Sequence, residues 1–246
     1  MTDAVTEDWL LNEQVRIFQP ETGYRAGLDA ILLAASLPDL NDKQILDMGC
    51  GAGGALFPAA WRLNSSRFVG VEREESSVSL AERGVSANGF EGRVSLFPSD
   101  VRNLPEDWEN RFDLVMSNPP YFEPGRIQSP TKGRQAAYLA ETSLVDWLKA
   151  MIKVVAPKGR ITLIHRAGEL GEILSYLLSR TGQIEVLPVF SAPGEPAKRV
   201  IITARKGLKR GEVRLHSGLT MHVAKGNPTY TDRADAILKG APLDWV

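Results

Sequence analysis

Asn118-Pro119-Pro120-Tyr121 carries the clearest chemistry in this sequence. Two consecutive prolines remove two N–H donors and hold their carbonyls rigidly. The Asn118 side-chain oxygen and the Pro119 carbonyl then offer two acceptors to the two hydrogens of one planar NH2 group. Such a nitrogen, an exocyclic amine on a base or an amide, has its lone pair delocalised into a π-system and is a poor nucleophile. Two acceptors would hold it and favour localisation of the lone pair toward an electrophilic carbon. This is positioning and electrostatic preorganisation rather than strong-base catalysis. Tyr121 can stack on a planar substrate, worth about 1–3 kcal/mol per base, and Phe122 extends that apolar surface.

A second constellation would hold the electrophile. Asp47-Met48-Gly49-Cys50-Gly51-Ala52-Gly53-Gly54 follows an apolar strand and opens a helix. Glycines such as Gly49, Gly51 and Gly53 let the backbone turn sharply and let a ligand touch the main chain. Gly49, Gly51 and Gly54 also satisfy the GxGxxG pattern, so a dinucleotide and S-adenosylmethionine both fit the glycines alone. Asp47 shifts the balance toward S-adenosylmethionine, because an acid at the strand end suits an ammonium group and would repel a pyrophosphate, although an acid there could also simply cap the loop. Glu72 ends the next strand, where an acid accepts from ribose hydroxyls. Asp100 follows the third, placed to accept from the adenine amino group, with the Val101 N–H beside it for a ring nitrogen. Acids at three successive strand ends face one crevice, and S-adenosylmethionine is the expected cofactor. Cys50 reads as a small filler, and His216 and His222 lack metal-ligand spacing, so no metal is expected.

The elements that must position these residues form a strand–helix alternation. A short strand is predicted over 14–19 and an apolar helix over 28–37, stopped by Pro38. Strands follow at 44–48, 68–71, 94–97 and 112–116, with helices over 56–63 and 76–88. A helix over 144–155 leads through a Pro157-Lys158-Gly159 turn to a strand at 160–164. A helix over 170–179 and strands at 184–189 and 200–204 complete the series. No helical pattern separates those last two strands, so they read as an antiparallel hairpin. The expected fold is α/β: a doubly wound, seven-stranded, Rossmann-like class I methyltransferase sheet with an antiparallel terminal hairpin.

Bulk properties exclude several classes. The 246 residues are 43% hydrophobic and 24% charged, ordinary for a globular chain. A net charge of −1 gives no global basic field, although a local patch would suffice for nucleic acid. One cysteine rules out an intrachain disulfide. The acidic start has neither a signal-peptide nor a transit-peptide pattern, and no apolar run spans a membrane. A cytoplasmic protein is expected.

Asp47-x-Gly49-x-Gly51, Glu72, Asp100 and Asn118-Pro119-Pro120-Tyr121 together resemble the class I N-methyltransferases that modify adenine N6, guanine N2 or protein glutamine. A second stretch, Phe18-Gln-Pro-Glu-Thr-Gly-Tyr24-Arg-Ala-Gly27-Leu-Asp29, resembles the N-terminal motif of bacterial tRNA(Val) adenine-N6-methyltransferases. Arg134-Gln-Ala-Ala-Tyr138, Pro196-Ala-Lys-Arg199 and Tyr230-Thr231 extend the match over nearly the whole chain. The resemblance implies that residues 1–40 pack over the cofactor site, with Tyr24, Gly27 and Asp29 contributing to it. It implies a methyltransferase domain over 41–246, the whole being one structural domain, and an adenosine beside a tRNA anticodon as substrate.

The charge pattern agrees in part. Arg126, Lys132 and Arg134 follow the Asn118 loop, and residues 198–210, beginning Lys198-Arg199, carry six basic residues and no acid. Such clusters suit salt-dependent phosphate contacts, though a solvated face looks the same in sequence. A loop nucleotide lowers the few-kcal/mol cost of unstacking the target base, which favours RNA loops over duplex. The alternatives are a protein glutamine N5-methyltransferase, which would need a sizeable helical domain before Asp47, and a ribosomal RNA base methyltransferase. An NAD-linked dehydrogenase leaves the Asn118 loop unexplained, and a silent RNA-binding module leaves Glu72 and Asn118 without purpose.

Overall fold

The computed structural model describes residues 4–22, 25–120 and 142–245. Strands β1 (Val5–Leu10) and β2 (Val15–Pro20) form a separate antiparallel hairpin, followed by helix α1 (Leu28–Ala35). Then come β3 (Gln44–Met48), α2 (Leu56–Arg62), β4 (Arg67–Glu72), α3 (Glu75–Ala87), β5 (Val94–Pro98) and β6 (Phe112–Ser117). After residue 141 the chain forms α4 (Leu144–Val154), β7 (Val155–Arg166), α5 (Leu170–Leu177), β8 (Thr181–Phe190) and β9 (Ala197–Lys206). Two short strands, β10 (Arg214–Leu215) and β11 (Leu219–Thr220), and helix α6 (Asp232–Leu238) complete it.

The seven expected strands lie in the order β5-β4-β3-β6-β7-β9-β8. β3 to β7 pair in parallel, and β9 inserts antiparallel between β7 and β8. β10 and β11 add two short parallel pairings to the outer edge of β8, giving a nine-stranded sheet among the described residues. Two residues carry too little periodicity to be read from sequence.

Alternation along the strands builds two cores. Ile45, Leu114 and Met116 face the layer of α1, α2 and α3, while Leu46, Met48 and Val115 face α4 and α5. All six side chains are fully buried, as expected for parallel strands covered on both faces. The C-terminal segment braces the end of α1. Leu243 N–H donates to Ala35 O at 2.9 Å, and Trp245 Nε1 donates to Ser36 O at 3.0 Å.

Two elements differ from the sequence expectation. β1 has the composition of a polar leader, because its acids mask a period-2 alternation. Thr6 and Asp8 are taken up on one face by Gln19 and Arg25. Pro157-Lys158-Gly159 does not precede a strand as a turn but lies inside β7. Lys158 adopts φ +63°, and the register with β6 jumps from Phe112–Val155 to Leu114–Arg160. The strand absorbs the extra residues as a bulge.

The antiparallel insertion also divides the basic run at 198–210. Lys198 and Arg199 stand at the end of β9 nearest the C-terminal ends of the parallel strands, where Arg199 pairs with Arg166. Arg205 and Lys206 stand at the opposite end, paired with Arg160 and Thr181. Only the first two share an edge with the Asn118 loop.

Candidate active site

The glycine loop is shaped by contacts on both sides. Gly49 and Cys50 N–H donate to Val71 O at 2.8 and 2.9 Å, tying the loop to β4. Gly53 has φ +100°, and a Cβ there would fall 2.2 Å from the Phe57 ring. A Cβ on Gly54 would fall 2.5 Å from Ala26 Cβ, so the segment before α1 presses directly on the loop.

Glu72 ties the loop to the turn after β4. Its Oε2 accepts from Gly51 N at 3.0 Å, and its Oε1 accepts from Arg73 N at 2.7 Å and Glu74 N at 2.8 Å. A carboxylate has about four acceptor positions, so room remains for a ribose hydroxyl. Asp47 is 2% exposed, and its Oδ2 has no hydrogen-bond partner. Burial, then the nearby Glu72, pushes its carboxyl up to about 8. A buried acceptor without a donor is costly, and the ammonium of S-adenosylmethionine is a donor that fits it.

That fit has a pH consequence. At pH 6.5 the Asp47 carboxyl is largely protonated, whereas pairing with an ammonium requires the ionised form. Cofactor binding is therefore expected to release protons at that pH. Calorimetry in buffers of different ionisation enthalpy reads this directly. Asp47→Asn should abolish the release, and equal heats in all buffers for the native chain would contradict it.

Asp100 caps the short turn at Val101–Asn103. Its Oδ1 accepts from Arg102 N at 2.8 Å and its Oδ2 from Arg102 Nη2 at 2.8 Å. Burial pushes its carboxyl up, but the Arg102 bonds outweigh this and hold it below the usual range. Arg102 thus shares the acceptor capacity assigned to the adenine amino group. Val101 is buried in the first position of that turn, where an N–H has no intrahelical acceptor.

The Asn118 loop leaves β6 beside the glycine loop. Ser117 Oγ donates to Met48 O at 2.7 Å and accepts from Trp147 Nε1 at 2.8 Å. The Trp147 ring also underlies Gly49, where a Cβ would fall 2.7 Å from Cζ2. One indole therefore sets the spacing between the two loops. Asn118 and Pro120 are half-buried and Pro119 is buried. Ser117→Ala leaves the buried Trp147 N–H without that acceptor and should cost about 1–3 kcal/mol of stability. Denaturant unfolding measures it, and a change below about 0.5 kcal/mol would contradict the clamp.

Gly27 caps α1 with extended backbone, and Asp29 lies in its first turn. Asp29 Oδ2 accepts from Arg199 Nε at 2.8 Å. One residue assigned to the cofactor and one assigned to RNA thus pair with each other, joining α1 to β9. His165, 1% exposed on β7, lies close to the pair. Burial, then Arg166 and Arg199, pushes it down to about 4, so it is neutral at physiological pH. Lys198 is exposed. Tyr24, Tyr121, Phe122, Arg126, Lys132 and Arg134 lie outside the described residues.

Sequence reasoning missed four positioning residues. Ser117 and Trp147 carry no motif, since their pairing depends on packing between β6 and α4. Gln19 is 4% exposed and its Oε1 accepts from Ala26 N at 2.6 Å, which anchors the segment pressed on Gly54. Arg25 binds the same hairpin through Thr6 at 2.8 Å and Asp8 at 2.6 Å. Among the described residues no cluster of His, Cys, Asp or Glu could hold a metal, and no helix is long and apolar enough to cross a membrane.

The antiparallel β9 separates this sheet from that of a nucleotide-dependent dehydrogenase. Together with the buried acid beneath the glycines, it defines a class I S-adenosylmethionine-dependent methyltransferase. Residues 39–179 match the family model described as a methyltransferase domain. A relative from Glaesserella parasuis is 30% identical over 211 residues, covering 84% of this chain and 85% of its own. One from Dickeya chrysanthemi is 26% identical over 209 residues, covering 84% and 82%. Both are named tRNA1(Val) (adenine(37)-N6)-methyltransferase. The crystal structure of Atu636 from Agrobacterium tumefaciens, described as a predicted O-methyltransferase, superposes with a TM-score of 0.71 at 27% identity. That similarity covers 87% of this chain and 98% of Atu636. The chain belongs to the family of tRNA1(Val) (adenine(37)-N6)-methyltransferases.

Proposed function

We propose that this protein transfers a methyl group from S-adenosylmethionine to N6 of an unstacked adenine in tRNA. The observation that carries the reading is the Asn118-Pro119-Pro120 run leaving β6 where Ser117 is bonded to Met48, at the mouth of the glycine loop. Bound there, the cofactor supplies an electrophilic methyl on a sulfonium. Asp47 takes its ammonium, Glu72 its ribose hydroxyls, and Asp100 with Val101 its adenine. Asn118 Oδ1 and the Pro119 carbonyl accept from the two N6 hydrogens and aim the lone pair at the methyl carbon. With the cofactor bound, the N6–carbon bond would form as the carbon–sulfur bond broke, the electron pair would stay on sulfur, and the surplus N6 proton would pass to water.

In this reading the N-terminal extension, 1–40, packs over the cofactor site, with Gln19 and Arg25 anchoring the segment in which Ala26 meets Gly54. Lys198 and Arg199 lie on the edge that faces the RNA, with Arg126, Lys132 and Arg134 contributing phosphate contacts. A tRNA substrate implies a cytoplasmic protein. Nucleoside mass spectrometry of tRNA from cells lacking the chain tests the reading. N6-methyladenosine should fall and return with the native chain but not with Asn118→Ala. An unchanged level would overturn it.

A further inference from the structure

A second concavity lies on the same edge of the sheet, beyond the hairpin between β8 and β9. It has a volume of about 540 Å³ and is lined by Phe190, Pro193, Glu195, Pro196 and Thr220. We propose that this groove binds a second, unpaired nucleobase of the tRNA, read through its exocyclic amine by Glu195. The inference rests on the tRNA reading above.

The groove is built rather than incidental. Met221 N–H donates to Phe190 O at 2.9 Å and His222 N–H donates to Ser191 O at 3.0 Å, locking its two walls together. Gly194, at φ +76°, turns the hairpin so that Pro193 and Pro196 flank it. Pro193 and Pro196 give the groove apolar surface, and Phe190 supplies an aromatic ring on which a base can stack. Glu195 supplies acceptors, which suit the amine of adenine or cytosine or the N–H edge of guanine. Its Oε1 is held by Lys225 Nζ at 2.8 Å, and the Lys225 side chain is 77% exposed. An ammonium has three donors, so Lys225 can also meet the phosphate of the same nucleotide. Lys198, two residues past Pro196 in the chain, is exposed at the start of β9.

Distance favours a neighbour of the target in the same loop. β9 and β7 separate β8 from β6, which at about 4.8 Å per step sets the groove about 14 Å across the sheet from Asn118. Ser117 is level with Leu163 and Ile202, and Ala197 lies five residues further along β9, about 17 Å at about 3.4 Å per residue. The separation is on the order of 20 Å, within the span of a few unstacked nucleotides.

Steady-state kinetics with full-length tRNA transcripts test the assignment. Glu195→Ala should raise the KM for tRNA roughly 10- to 100-fold, with kcat at saturating tRNA and the cofactor Kd unchanged. Replacing the read nucleotide by one lacking the amine should penalise the native chain and not Glu195→Ala. An unchanged KM, or an equal penalty in both proteins, overturns the groove assignment. If the native chain methylates no tRNA at all, it is the tRNA reading that falls.

Discussion

Asn118→Ala should lower the single-turnover rate of methyl transfer by about 100- to 1,000-fold, about 2.7–4 kcal/mol of lost transition-state stabilisation. In the proposed mechanism the loop offers the amine two acceptors, and the Pro119 carbonyl survives the substitution. What is lost is the acceptor that orients the second hydrogen, and with it the alignment of the lone pair. Cofactor affinity should change little, because Asp47, Glu72 and Asp100 lie on other strands or just after them. Asn118→Asp retains an oxygen and should recover part of the rate. A native rate in Asn118→Ala would mean that the reacting amine is held elsewhere.

Glu72→Ala should weaken cofactor binding by roughly 10- to 150-fold, the loss of one charge-assisted acceptor worth about 1.5–3 kcal/mol. The carboxylate has two tasks, because it also accepts from Gly51, Arg73 and Glu74 N–H. Its removal should loosen the glycine loop along with the proposed ribose contact. Glu72→Gln keeps one oxygen and should lie between the two. Titration calorimetry measures all three affinities, and an unchanged Kd in Glu72→Ala would remove Glu72 from the site.

The parts of this protein written in local pattern are legible from sequence. β3 is bounded by the residues expected, Gln44–Met48, since a run of buried apolar side chains ending at Asp47 and a glycine cluster leaves little freedom. The positions of the acids are legible, since Asp47 lies at the end of β3, Glu72 ends β4 and Asp100 follows β5. What escapes is tertiary. Ser117 and Trp147 meet only once α4 packs on β6, although they set the gap between the two loops. The Asp29–Arg199 pair joins residues 170 positions apart, and nothing local announces it. The basic run 198–210 is expected to split where part of it forms a strand, and β9 carries Lys198 and Arg199 to one end of the sheet and Arg205 and Lys206 to the other.

The most direct test supplies purified protein with unmodified tRNA and S-adenosylmethionine carrying an isotope-labelled methyl group, followed by digestion and nucleoside mass spectrometry. The label should appear in N6-methyladenosine, once per tRNA, and only with the native Asn118. Label on guanine N2, on a ribose oxygen or on protein glutamine, with none on adenine N6, would contradict the account.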